Sequence, residues 1–241
     1  VPDEIFANPK LAQIYDAFDG VRNDLDHYVA MVDEFAAKSV LDVGCGTGTL
    51  ATILAANGVE VTGVDPAEAS IAIARTKPGA ERVNWIVGDV TSLPPGQVDL
   101  ALMTGNVAQV FLTDDDWSAN LVALRRALAP EAKLVFEVRD PSRRAWQEWN
   151  RDASYTKINV AGVGEVAGWV DLVEVSLPLV SFEHTYQFDD GTVVTSQSTL
   201  RFRERDEIEA SLVKAGYGVL DIRDAPDRPG KEFVFVCGPV V

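Results

Sequence analysis

Residues 39–48 read Ser-Val-Leu-Asp-Val-Gly-Cys-Gly-Thr-Gly, an apolar run that passes straight into three alternating glycines. Val40, Leu41 and Val43 suit a buried strand, and Gly44, Gly46 and Gly48 let the main chain turn where a Cβ would clash. Residues 49–57, rich in Ala and Leu, favour a helix whose first N–H groups face whatever the turn leaves room for. Strand, glycine turn and helix in this order form a cradle for a nucleotide-type ligand.

The rest of the chain repeats the alternation. Apolar runs at 60–64, 84–87, 98–103, 133–138, 219–222 and 232–237 read as strands, and 67–76, 117–128 and 205–215 as helices. Asp114, Asp115 and Asp116 supply a cap and negative charge for the second of these helices. Two further helices, at 9–19 and 25–37, precede the first strand. The pattern predicts a doubly wound α/β fold. Between 150 and 203 the period switches to two and helix signals vanish, so 151–203 reads as an antiparallel β insertion in a core made of 1–150 and 204–241. Asp190-Gly191 suits a two-residue type I′ turn, which would set Tyr186 opposite Thr195 and His184 opposite Gln197. The face carrying Phe182, His184 and Tyr186 would then cover a pocket, pack on the core, or meet a second copy in a homodimer.

Composition excludes several partners. With 37 acidic and 21 basic residues the formal charge is −16, which repels a polyanion and argues against nucleic acid as substrate. No apolar run reaches the roughly 18 residues a membrane span needs. Cys45 and Cys237, the two cysteines, offer no disulfide framework, so a cytoplasmic setting is expected. No His, Cys or carboxylate cluster has metal-ligand spacing, and no metal is expected.

Gly46, Gly48 and Ala51 also satisfy the dinucleotide spacing G-x-G-x-x-G/A, which leaves an NAD-dependent oxidoreductase open. The longer string, with Asp42 two residues before Gly44 and glycines spaced G-x-G-x-G, resembles the first motif of the class I methyltransferases that use S-adenosylmethionine. That resemblance implies a Rossmann-like sheet of seven strands with an antiparallel final strand. It also implies that the loop, Cys45 included, holds the methionyl end of the cofactor. Asp65, ending the second strand before Pro66, resembles the family's ribose-binding acid; alone it reads equally as a helix cap. Asp89 and Val90, after the third strand, resemble its adenine corner, where a plain turn is the other reading. Thr104 and Asn106, after the fourth strand, stand where the family keeps its pocket near the sulfonium. Tyr15 resembles the tyrosine of an N-terminal helix folded over the methionine moiety; Arg22 could also pair with that moiety's carboxylate, but reads first as an exposed loop arginine.

The family resemblance implies methyl transfer to N, O or C of a small molecule; a protein that binds the cofactor without turnover is the alternative. Displacement from a sulfonium depends chiefly on alignment and exclusion of water, so no triad is required. If the acceptor must lose a proton, the insertion supplies His184, Tyr186 and Glu183. His27, among Asp24, Asp26 and Tyr28, reads as helix surface.

Overall fold

The computed structural model describes residues 1–96 and 98–240; Gln97, inside the expected core, and Val241, at its end, lie outside the described residues. Seven strands form the main sheet: β1 (Ser39–Val43), β2 (Glu60–Asp65), β3 (Val83–Val87), β4 (Val98–Met103), β5 (Leu128–Arg139), β10 (Tyr217–Asp224) and β11 (Glu232–Pro239). Their order is β10-β11-β5-β4-β1-β2-β3. β1 to β5 pair in parallel, while β11 is antiparallel to both of its neighbours.

Apolar residues on successive positions of these strands serve two different cores. Leu41 and Val43 of β1, Leu134 and Phe136 of β5 and Phe235 of β11 pack with Trp117, Leu121 and Leu124 of α6 (Asp114–Ala127) and with Ile208 and Leu212 of α8 (Arg205–Lys214). Val40, Val135, Val234 and Val236 point the other way, onto Tyr28, Met31 and Val32 of α3 (Asp26–Glu34) and Leu50 and Leu54 of α4 (Thr49–Ala56). A strand covered on both faces cannot alternate apolar with polar, which is why these runs are continuous in the sequence.

Local chemistry moved some boundaries. Thr113, not an aspartate, caps α6 by accepting the Asp116 N–H at 3.0 Å, and the three aspartates occupy its first turn. β5 starts five residues before the expected 133, at Leu128, and runs through Pro130. The proline is tolerated because the ladder to β4 is interrupted there: Val98 faces Leu128, and the next pair is Leu100 with Lys133.

The second sheet has four antiparallel strands, β6 (Thr156–Val160), β7 (Gly164–Ser176), β8 (Leu179–Phe188) and β9 (Val193–Arg201), after a one-turn helix α7 (Arg151–Ser154) that the sequence did not announce. Its hairpin register corrects the type I′ expectation. Phe188 N–H donates to Thr192 O, Gly191 N–H donates to Phe188 O, and Gly191 has φ +83°, so the loop has three residues with glycine in the left-handed position. That extra residue shifts pairing by one: Tyr186 faces Val194 and His184 faces Ser196, not Thr195 and Gln197. α1 (Glu4–Ala7), also unannounced, and α2 (Pro9–Asp19) pack Ile5, Leu11 and Ile14 against Val160, Val166, Tyr186 and Phe188. Sheet and helices together roof the carboxyl ends of the parallel strands.

Candidate functional site

Gly44, Gly46 and Gly48 all have positive φ, at +68°, +53° and +77°. Two of them are glycine for different reasons. A Cβ on Gly44 would lie 2.5 Å from Val107 Cγ2, whereas one on Gly46 would meet nothing within 4 Å. The first position is closed by the protein itself, and the second opens onto space at the head of α4.

Asp65 organises this loop from the end of β2. Its Oδ2 accepts the Gly46 N–H at 2.9 Å and its Oδ1 the Ala67 N–H at 2.8 Å, so it fixes the loop and the turn before α5 (Glu68–Ala74) but does not cap that helix, whose N-cap position is Ala67. Burial raises its pKa, and these two N–H groups oppose the rise. Asp42, on β1 beneath the loop, is 2% exposed, and its Oδ2 has no hydrogen-bond partner among the described residues. Burial first, then repulsion by Asp65, pushes its pKa to about 7. A buried carboxylate oxygen without a donor is costly, and a ligand ammonium would satisfy it. Cys45 is a half-buried thiol whose desolvation raises its pKa, so it stays protonated.

Asp89 is exposed and its Oδ1 accepts both the N–H and the hydroxyl of Thr91, which caps a turn over Val90–Ser92; the Val90 side chain is in the core. Pro66 is exposed just beyond Asp65, and Thr104 is half-buried without lining either cavity described below. Asn106 lies deep, at 2% exposure and φ +62°. Its conformation is held by Glu137 of β5, whose Oε1 accepts the N–H groups of Gly105 at 2.7 Å and Asn106 at 3.1 Å while Oε2 accepts the Tyr28 hydroxyl. Glu232 of β11 accepts from Asn106 Nδ2 at 3.3 Å, and Asn106 Oδ1 is left without a partner among the described residues. Sequence reasoning missed Glu137 and Glu232; each interrupts or flanks an apolar strand, which was the available signal.

Two adjoining cavities open above the strand ends. One, of about 440 Å³, runs beneath the 19–24 segment and includes Arg22, whose guanidinium is fully engaged by Asp24 at 2.7–3.1 Å and Asp19 at 2.5 Å. The other, of about 490 Å³, lies under the second sheet and is walled by Phe18, Trp169, Phe182, His184, Tyr186 and Ser198. Tyr15, Asp19, Gly105, Asn106 and Arg139 line both.

The alternation of β8 decides which insertion residues reach this space. Phe182, His184 and Tyr186 share the inner face, with ring centroids 5.4 Å and 6.2 Å apart in sequence order. Glu183, between them, points to the opposite face, beside Asp171 and Gln197, and lines neither cavity. It is therefore withdrawn as a candidate base. Burial lowers the His184 pKa to about 4 and raises that of Tyr186 to about 12, so at neutral pH one is an acceptor-capable imidazole and the other a hydroxyl donor. Tyr15 is likewise kept protonated by burial and by nearby Asp19. His27 is half-buried rather than surface, with its ring 3.9 Å from that of Tyr28.

Residues 40–131 match the family model described as a methyltransferase domain. A Geobacillus protein named as a methyltransferase is 29% identical over 215 residues, covering 83% of this chain and 84% of its own. Among solved structures, Streptomyces venezuelae DesVI superposes with a TM-score of 0.77 at 20% identity, over 95% of this chain and 98% of that one. CalS10 of Micromonospora echinaspora, an amino pentose methyltransferase solved with S-adenosylmethionine bound, gives 0.72 at 22% identity, over 95% and 97%.

Proposed function

We propose that this chain is a class I S-adenosylmethionine-dependent methyltransferase, as its match to a methyltransferase domain over residues 40–131 supports, and that its acceptor is a small molecule methylated on N, O or C in the cavity beneath the second sheet. The observation that carries this reading is the cavity's size and aromatic lining. At about 490 Å³, walled by the inner face of β8 and by α2, it has the volume of a small-molecule pocket. The amino pentose acceptor of CalS10 is of that size class.

The chain's residues fit the methyl donor: Asp65 stands at the end of β2, the Gly46 cradle is open, and the buried Asp42 oxygen lacks a donor. Bound there, S-adenosylmethionine supplies an electrophilic methyl group on a cationic sulfur. Asp42 and the loop would hold the methionyl end, Asp65 the ribose and the Asp89–Val90 turn the adenine. Tyr15, Gly105 and Asn106, which line the acceptor cavity beside the ends of β1 and β4, would separate donor from acceptor. His184 would accept a proton or hydrogen bond from the nucleophile, and the Tyr186 hydroxyl would donate to it. Phe18, at 5.0 Å edge-on to Tyr186, helps keep water out.

The test is methyl transfer from labelled S-adenosylmethionine to matched small amines, alcohols and phenols. Label in a small-molecule product supports the reading, and label found only in added protein or RNA overturns it. At the β7–β8 tip Leu172, Val173, Val175 and Leu177 are exposed, and they are the surface we propose for a homodimer through the insertion; a monomer by light scattering would refute that part.

A further inference from the structure

Arg139 ends β5 at the junction of the two cavities and is the one Lys or Arg among the residues lining the acceptor cavity. Its backbone is fixed, the N–H donating to Gln109 Oε1 at 3.2 Å, and its guanidinium lies 5.7 Å from the Trp149 ring centroid. The guanidinium itself makes no hydrogen bond among the described residues. Its nearest carboxylate oxygen, Glu232 Oε1, is 3.8 Å from Nε, and that oxygen already accepts from Arg228 at 2.7 Å and Asn106 at 3.3 Å. Glu137, two residues earlier on the same strand, is occupied by Tyr28 and the Gly105 and Asn106 N–H groups.

An arginine stays charged even when desolvated, and its planar fork of donors is shaped for an oxyanion with two accessible oxygens. Here the side chain is only 22% exposed and lines the aromatic cavity, which Asp3 and Asp19 also line, and its fork has no hydrogen-bond partner among the described residues. We propose that Arg139 is the specificity residue for the acceptor, and that the acceptor carries a carboxylate or phosphate group which Arg139 binds while its nucleophile faces His184 and Tyr186. This rests on the acceptor cavity assigned above. Arg22, in contrast, has its donors committed to Asp19 and Asp24 and offers no comparable fork. The walls also suit an aromatic acceptor: Trp169 and Phe182 supply apolar ring surface, and Ser198 and Thr156 supply hydroxyls.

The experiment titrates benzoate, phenyl phosphate and neutral benzamide into protein saturated with S-adenosylhomocysteine, comparing wild type with Arg139→Gln and Arg139→Lys. The expected result is that benzoate or phenyl phosphate binds roughly tenfold or more tightly than benzamide, as charge-assisted bidentate bonding gives. Arg139→Gln should abolish the preference and Arg139→Lys should keep part of it, with S-adenosylhomocysteine affinity unchanged in both. Which anion is preferred identifies carboxylate or phosphate as the group. Equal binding of all three probes by wild type overturns the proposal. So does a loss of S-adenosylhomocysteine affinity in Arg139→Gln, which would assign the guanidinium to the donor's own carboxylate, or a lower melting temperature with the preference intact, which would make it a counter-ion of Glu232. Failure of wild type to bind S-adenosylhomocysteine at all would instead contradict the methyl-donor site.

Discussion

Thr47 of the glycine loop donates its hydroxyl to Asp16 of α2 at 2.5 Å, and Lys77 reaches the other Asp16 oxygen at 2.7 Å while donating to Thr49 at 2.7 Å. The helix that roofs the cofactor side is thereby latched to the loop that forms its floor. If a ligand leaves from under α2, these contacts are expected to open with it.

Asp16→Ala removes the latch without touching the ligand positions of Asp42 or Asp65. It is expected to raise the dissociation rate of S-adenosylhomocysteine by about tenfold, the effect of one charge-assisted hydrogen bond, with a smaller change in the association rate. Stopped-flow displacement measures both. An unchanged dissociation rate would mean that α2 does not move when ligand leaves.

Asp42 sets a pH dependence. Its carboxyl titrates near 7 in the folded, ligand-free protein against an ordinary value of 3.8, because burial and Asp65 disfavour its charge. A folded value above the unfolded one means that its contribution to stability is fully present below about 3.8 and is lost as pH rises through 7, on the order of 4 kcal/mol in all. Asp42→Asn is therefore expected to raise the melting temperature relative to wild type at pH 8 and to have little effect at pH 4. It should also weaken S-adenosylmethionine binding, since an amide offers no charge to the ammonium. A melting difference that does not vary between pH 4 and pH 8 would contradict the assignment.

His184→Ala and Tyr186→Phe are expected to leave S-adenosylhomocysteine affinity within about twofold while lowering kcat for the acceptor by about a hundredfold and tenfold respectively. With the His184 pKa depressed to about 4, protonation of that imidazole does not limit turnover above pH 5.5. Initial rates between pH 5.5 and 8 test this. Parallel losses of cofactor affinity and thermal stability would make both residues part of the roof's packing only.

The donor side was legible in the sequence because its chemistry sits at strand ends that follow one another locally. Asp42, the three glycines and Asp65 lie within 24 residues, and the parallel sheet brings them together by a rule that needs no long-range detail. The acceptor side depended on what a local reading does not show. One extra loop residue, Asp189, turned Thr195 and Gln197 to the other face, brought Ser198 onto the cavity wall and set Ser196 under α1, where it accepts the Ile5 N–H. Glu137 and Glu232 were hidden because a charged residue in a buried strand makes sense only once the 105–106 turn and Arg228 are seen beside it. Tyr15 lines both cavities from the helix that the sequence placed at 9–19, but the contribution of α1 was not legible, since four residues carry too little periodicity.

The central claim is that the loop after β1 and the acid after β2 form a site for S-adenosylmethionine. Isothermal calorimetry with S-adenosylmethionine, S-adenosylhomocysteine and NAD on wild type and Asp65→Ala tests it most directly. The account predicts saturable binding of both sulfur compounds, none of NAD at the same concentrations, and at least a tenfold loss in Asp65→Ala, whose lost carboxylate also frees the Gly46 N–H. Tighter binding of NAD than of either sulfur compound, or no binding of the sulfur compounds by folded wild type, would contradict it.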